Sequence, residues 1–304
     1  MKLKWLFVVS TSYLVGRGHL NRSIALASEM QKKSYIDFYS YDEENFSSKF
    51  RENKNIKFYN SELNEIDIRK YNGVVIDIKK YDKLLKIKNI KTIISPSLEK
   101  RDKLEKYQSA LLGRKYYLIP SRYKKQKKII NKNVKNILIN FGYLDSKNLT
   151  LNILDSLNNI NYEYKVIVLI GENQSLLKKI KKKKYKFELK VYSGLTDLRS
   201  FYRKVDLCIG AGGVGMIERF LYSLPSVNIP SSNDQYYALS KAQKKNATIF
   251  INYDNKKKFN LKFKKILVIL LKNKKIRKIL SENAYAYTDN KGSQRVAKYL
   301  LNIE

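Results

Sequence analysis

The sequence is short of several things that build sites or anchor proteins. Its 304 residues hold one cysteine and one histidine. A single cysteine excludes an intrachain disulfide framework and fits a cytoplasmic setting. So few Cys and His side chains cannot assemble a structural zinc site, and neither a metal nor another cofactor is expected. Long apolar runs are missing too. The stretch 1–9 is followed by polar residues and lacks a signal-peptide cleavage pattern. The run 266–271 is far too short to span a bilayer. A soluble protein is expected. Acidic side chains are scarce, 27 against 62 Lys and Arg, which leaves a net charge of +35. Lys, Asn, Ile and Tyr are overused together, as a coding bias towards A and T produces. The other source of such a charge is selection for polyanion binding. The lysines are spread along the whole chain and form no recognised nucleic-acid module, so no nucleic-acid partner is expected. Peripheral contact with an anionic membrane surface stays open.

What is present reads as an ordinary globular protein. Hydrophobic residues make up 43%, and the length suits two domains with a core each. Short apolar runs alternate with amphipathic stretches. Strands are predicted at 3–9, 35–41, 56–59, 74–78, 91–94 and 116–119, with a helix over 20–32. Residues 121–133 are polar, lysine-rich and aperiodic, and read as a linker. A second series follows, with strands at 136–141, 165–170, 189–192, 207–209, 226–229 and 248–251. Helices are predicted at 197–204, 216–223 and 236–245, and a helical tail, 275–304, is interrupted near 289–292. The lysine run 181–184 reads as a solvated loop or helix end. The expectation is an α/β protein with two Rossmann-like, doubly wound domains, 1–130 and 131–304.

Two glycine-rich turns carry the chemistry. The first follows strand one as Gly16-Arg17-Gly18-His19-Leu20-Asn21-Arg22. Such a turn lets the backbone approach an anion at a helix N-terminus. The third glycine of a dinucleotide fingerprint is missing, which disfavours a dehydrogenase. His19 is more often structural than catalytic as an isolated histidine. At the carboxyl edge of a first parallel strand, where open α/β sheets bind ligands, it is a candidate general base. Arg22 reads equally as a ligand contact or a surface ion-pair residue. The second turn is Gly210-Ala211-Gly212-Gly213-Val214-Gly215, opening a helix that carries Glu218. Its N–H groups suit a diphosphate, and Glu218 suits a pair of ribose hydroxyls; a plain tight turn is the competing account. Asn233, Asp234 and Gln235 in the following loop are candidates for sugar or phosphate contacts, or for a helix cap. Gly142 and Asp145, after the strand at 136–141, form a third such loop. Cys208 lies within an apolar strand and reads as a buried small residue.

These motifs together resemble a known family. Gly16-x-Gly18-His19-x-x-Arg22, the Gly142 loop, Ala211-Gly212-Gly213 with Glu218-Arg219, Leu224-Pro225 and Gln235 are similar to the UDP-2,4-diacetamido-2,4,6-trideoxy-β-L-altropyranose hydrolase of pseudaminic acid biosynthesis. Its relatives include spore-coat polysaccharide proteins and the transferase that adds N-acetylglucosamine to lipid I. Asp289, Gly292 and Arg295 resemble the family's C-terminal stretch. The resemblance implies a GT-B fold with an interdomain cleft and metal-independent hydrolysis of a UDP-sugar. His19 would activate the water, Gly212 and Gly213 would hold the diphosphate, with Val214 beside them in the binding set, and Glu218 the ribose. Asp77-Ile78-Lys79, Gly142-Tyr143-Leu144-Asp145, Asp234-Gln235 and Ser95-Pro96-Ser97 depart from the family pattern, so the nucleotide half is better matched than the sugar half. A glycosyltransferase using a UDP-sugar donor is the alternative, and a non-catalytic nucleotide-sugar-binding subunit the second alternative.

Overall fold

The computed structural model describes residues 2–11, 18–40, 55–59, 67–77, 111, 113–145, 147–233 and 235–302, and the backbone of 93–94. The chain divides into two units, Met1–Arg122 with Asn290–Glu304, and Tyr123–Asp289.

The first unit is built on a parallel sheet of β1 (Leu3–Val9), β2 (Ser34–Ser40), β3 (Ile56–Tyr59), β4 (Gly73–Asp77) and β5 (Ile93–Ile94), in the order β3-β2-β1-β4-β5. β1 is central, and Trp5 to Val9 are all buried, as expected of a parallel strand covered on both faces. Helix α1 (Gly18–Met30) lays Leu20, Leu26, Ala27 and Met30 into this core. Phe7, Phe38 and Phe58 pack across neighbouring strands with centroids 5.0 and 5.2 Å apart.

The second unit has a parallel sheet of β6 (Asn136–Asn140), β7 (Lys165–Ile170), β8 (Glu188–Ser193), β9 (Leu207–Gly210), β10 (Ser226–Asn228) and β11 (Ile249–Phe250), ordered β11-β10-β9-β6-β7-β8. Its helices are α2 (Leu149–Asn158), α3 (Gln174–Lys181), α4 (Arg199–Lys204), α5 (Val214–Leu221), α6 (Gln235–Lys244), α7 (Lys256–Lys272) and α8 (Lys274–Tyr287). Both sheets have the strand order of a doubly wound Rossmann fold, which reverses direction beside its first strand. The reversals lie between β1 and β4 and between β6 and β9. No helix among the described residues is long and apolar enough to cross a membrane.

The structure differs from the expected boundary at 130 in two respects. The units meet at Arg122 and Tyr123, and α9 (Gly292–Leu300) returns to the first unit, where Val296, Ala297 and Leu300 complete its core. The return also explains why 116–119 is not a strand. Residues 114–116 form a 3-10 turn, and Tyr117, Leu118 and Ile119 are buried without a ladder. Their carbonyl neighbourhood is served by α9 instead. Ser293 Oγ donates to the Ile119 carbonyl at 3.0 Å, and Arg295 Nη1 to that of Lys115 at 3.0 Å. A Cβ at Gly292 would lie 2.2 Å from the Tyr117 carbonyl oxygen, so only glycine lets α9 approach this closely.

Candidate active site

The parallel register of β1 and β4 sets Val9 beside Asp77 at the carboxyl edge of the first sheet. α1 leaves that edge carrying His19 and Arg22, one turn apart, and both turn to the same carboxylate. His19 Nδ1 lies 2.7 Å from Asp77 Oδ1. Arg22 Nε donates to Oδ2 at 2.5 Å, its Nη2 donates to Oδ1, and Ser23 Oγ donates to Oδ2 at 3.2 Å. Asp77 is fully buried. Burial alone would push its carboxyl up, but the Arg22 charge and His19 outweigh it and hold the group down at about 2. With Nδ1–H donating to the ionised Asp77, Nε2 is the ring nitrogen that can accept a proton. Arg22 Nη2 is 3.0 Å from the same Nδ1; a guanidinium only donates, so its bonds go to the carboxylate. Arg22 thus serves Asp77 in a forked ion pair. Asp77, which gathers these contacts, is not among the candidate residues read from the sequence. In the sequence it shows only as the end of the fourth strand and as the first residue of Asp77-Ile78-Lys79, which departs from the family pattern. Gly18 opens α1, and an added Cβ would meet open space among the described residues. Gly16 lies outside the described residues.

In the second unit, the turn after β9 and the loop after β10 come together. Gln235 Oε1 accepts from the N–H groups of Gly212 and Ser231, each at 3.0 Å, which ties the two loops. Two donors on one oxygen fix the amide orientation and leave Nε2 towards Gly213, where a Cβ would sit 3.5 Å away. The Gly212 N–H is therefore occupied, and Gly212 has a packing role as well: a Cβ there would come within 2.5 Å of Leu239. Gly213 caps α5 without a side-chain bond, so the orphan N–H groups of the first turn, at Gly213, Val214 and Gly215, are the ones left for an anion. Glu218 faces Tyr202, whose hydroxyl donates to Oε2 at 3.0 Å. Burial, reinforced by the Glu218 charge, pushes the Tyr202 hydroxyl well above its ordinary range, so it stays a donor. Tyr202, on α4, is another residue the sequence gave no reason to single out.

The remaining candidates divide. Gly142 follows β6 with φ of +85°, a left-handed turn suited to glycine. Asn233 belongs to the turn before α6, its carbonyl accepting from Tyr236 N at 3.2 Å. Asp234 lies outside the described residues. Asp145 is buried, and its two oxygens accept from Leu149 N at 2.9 Å and Thr150 N at 2.8 Å. Both oxygens are used at the N-terminus of α2, so Asp145 is a helix cap where a ligand contact is expected from sequence. Asp145→Ala should cost about 1–2 kcal/mol of stability, the usual value of a lost cap, measured as a shift in urea midpoint. A midpoint equal to that of the wild type would contradict the cap.

Residues 122–299 match the model of the glycosyltransferase family 28 C-terminal domain. The chain belongs to glycosyltransferase family 28. The match spans the whole second unit, including the glycine-rich turn and Glu218. This family 28 chain is 26% identical to an uncharacterized protein of Methanocaldococcus jannaschii, over 74% of its own length and 55% of that protein's. It therefore spans about half the length of that curated relative. Among solved structures it is similar to MurG of Acinetobacter baumannii, with a TM-score of 0.70, 14% identity and 100% of both chains covered. HepE of Anabaena, solved in complex with UDP-glucose, gives 0.65, 11% identity, and 99% and 100% coverage. MnaA of S. aureus, solved with UDP, gives 0.61, 15%, and 100% and 98%. At these identities the likeness is one of fold. The two doubly wound sheets of this family 28 chain are those of the GT-B fold.

Proposed function

We propose that this protein is a glycosyltransferase that takes its sugar from a UDP-sugar, with His19 as the general base. The observation that carries the reading is the 2.7 Å contact of His19 Nδ1 with the buried Asp77 carboxylate, which readies Nε2 to take a proton. In the proposed reaction, an acceptor hydroxyl loses its proton to His19 and its oxygen attacks the anomeric carbon. The bond from that carbon to the diphosphate breaks, and UDP leaves with the bonding pair. The first N–H groups of α5 stabilise the charge on the departing diphosphate, and Glu218 accepts from the ribose hydroxyls. The family assignment favours transfer over the hydrolysis expected from the sequence resemblance, because the matching family is one of transferases. The UDP-glucose and UDP bound to HepE and MnaA support the choice of nucleotide.

Titration of the protein with UDP in a calorimeter tests the nucleotide half. Glu218→Ala should weaken UDP binding by about 1–3 kcal/mol, since the ribose contact is left unmade. Unchanged affinity in that variant would sink the ribose assignment. Release of UDP from a panel of UDP-sugars, with and without candidate acceptor alcohols, tests the reaction. Release that rises with an acceptor supports transfer, and equal release without one means that water is the acceptor.

A further inference from the structure

Beneath the glycine-rich turn lies a charge that the proposed reaction leaves unused. Arg219 is 1% exposed. It sits one turn beyond Gly215 on α5, and helical side chains lean back towards the N-terminus of their own helix. Its guanidinium accordingly lies inside the turn. A Cβ at Gly210 would fall 3.1 Å from Nη1, and one at Gly215 would fall 3.3 Å from it. Nη2 donates to the Ala211 carbonyl at 2.6 Å and to Asn228 Oδ1. Asn228 is itself held, donating to Ser226 Oγ at 3.0 Å and Thr248 Oγ1 at 2.6 Å. Among the described residues, both acceptors of Arg219 are neutral, and its Nε is buried with no partner.

A guanidinium removed from water and matched only to neutral oxygens is costly to keep. A neutral amide could make the bonds to Ala211 and Asn228, so a bracing role alone does not need the charge. We infer that Arg219 is a positioning residue for a nucleoside diphosphate: it braces the glycine-rich turn from below and sets a positive charge behind the N–H groups that receive the diphosphate. The inference rests on the UDP reading and deepens it. The buried polar cluster of Ser226 and Asn228 on β10 with Thr248 just before β11 then has a physical reason. It aims the guanidinium at the turn.

The test is calorimetric titration of the full chain with UDP, UMP and uridine, for the wild type, Arg219→Gln and Asn228→Asp. Arg219→Gln should lower UDP affinity by about 10- to 100-fold, as expected for loss of one charge near the diphosphate, with UMP less affected and uridine unchanged. Asn228→Asp places a carboxylate against Nη2 and neutralises Arg219 where it stands. It should keep or raise the urea midpoint while showing the same selective loss of UDP. A folded variant of either kind that binds UDP as the wild type does overturns the inference, as does a loss equal for UDP and uridine. If Arg219→Gln fails to fold, Asn228→Asp decides. A wild type that binds uridine and UDP equally also overturns it. A wild type that binds neither refutes the UDP reading itself, and the role of Arg219 with it.

Discussion

His19→Ala should lose about 10²–10⁴-fold in turnover while keeping the UDP affinity of the wild type. The range is that of a positioned general base. The split follows from the geometry. His19 makes its bonds to Asp77, in the first unit, and the turn and Glu218 assigned to UDP belong to the second. On the proposed role, removing the imidazole takes away the proton acceptor and leaves the turn and Glu218 unaltered. Steady-state UDP release beside calorimetry with UDP measures both quantities. A variant with full turnover would end the role of His19, and one that lost UDP affinity in proportion would make His19 a binding residue.

The second large effect is expected at Asp77. Asp77→Asn keeps the shape and removes the charge that holds the Nδ1 proton. An amide can donate to Nδ1 as well as accept from it, so the ring is no longer held in the form with a free Nε2. In a serine protease triad the equivalent change lowers kcat about 10⁴-fold through the wrong tautomer, and a loss of about 10² or more is expected here. Stability should fall as well. Arg22 is largely buried against this carboxylate, and breaking a buried pair by removing one partner costs about 3–5 kcal/mol. The pH dependence has a definite sign. The folded carboxyl is held at about 2, below its unfolded value of about 4. Its contribution to stability is therefore complete above about pH 4 and is lost as the pH falls through about 2. Urea midpoints measured from pH 5 to pH 2 should converge for wild type and Asp77→Asn. Midpoints that stay parallel would show that the Arg22–Asp77 pair does not stabilise the fold.

The parts of this fold that were legible in the sequence are those set by unbroken apolar runs. Residues 3–9 and 165–170 are strands with those bounds, because a central parallel strand must be apolar on both faces. The tail reads well for a different reason. The break near 289–292 separates α8 from α9. What the tail packs against was hidden, since the return of α9 to Tyr117 and Ile119 depends on contacts about 170 residues apart in sequence. The same distance problem hid the contact of Asp77 with His19. The two stand 58 residues apart, and only the pairing of β1 with β4 brings them together. Asp145 illustrates the reverse case. After a strand and a glycine, an aspartate is as good a ligand as a cap. Only the position of Leu149 and Thr150 N–H shows that the helix uses both oxygens. Gln235 reads from the sequence as a ligand contact or a helix cap, and the structure adds that its oxygen holds Gly212 and Ser231 and its Nε2 is the group left to offer.

The most direct test of the account is UDP release from a panel of UDP-sugars in the presence of acceptor alcohols, run with the wild type, His19→Ala and Asp77→Asn. The account predicts that at least one sugar is turned over by the wild type, that release depends on the acceptor, and that both variants are slowed by about 10²-fold or more while still binding UDP. Release undiminished by either substitution would contradict the dyad. A wild-type protein that binds UDP but releases none from any sugar would contradict the assignment as a transferase.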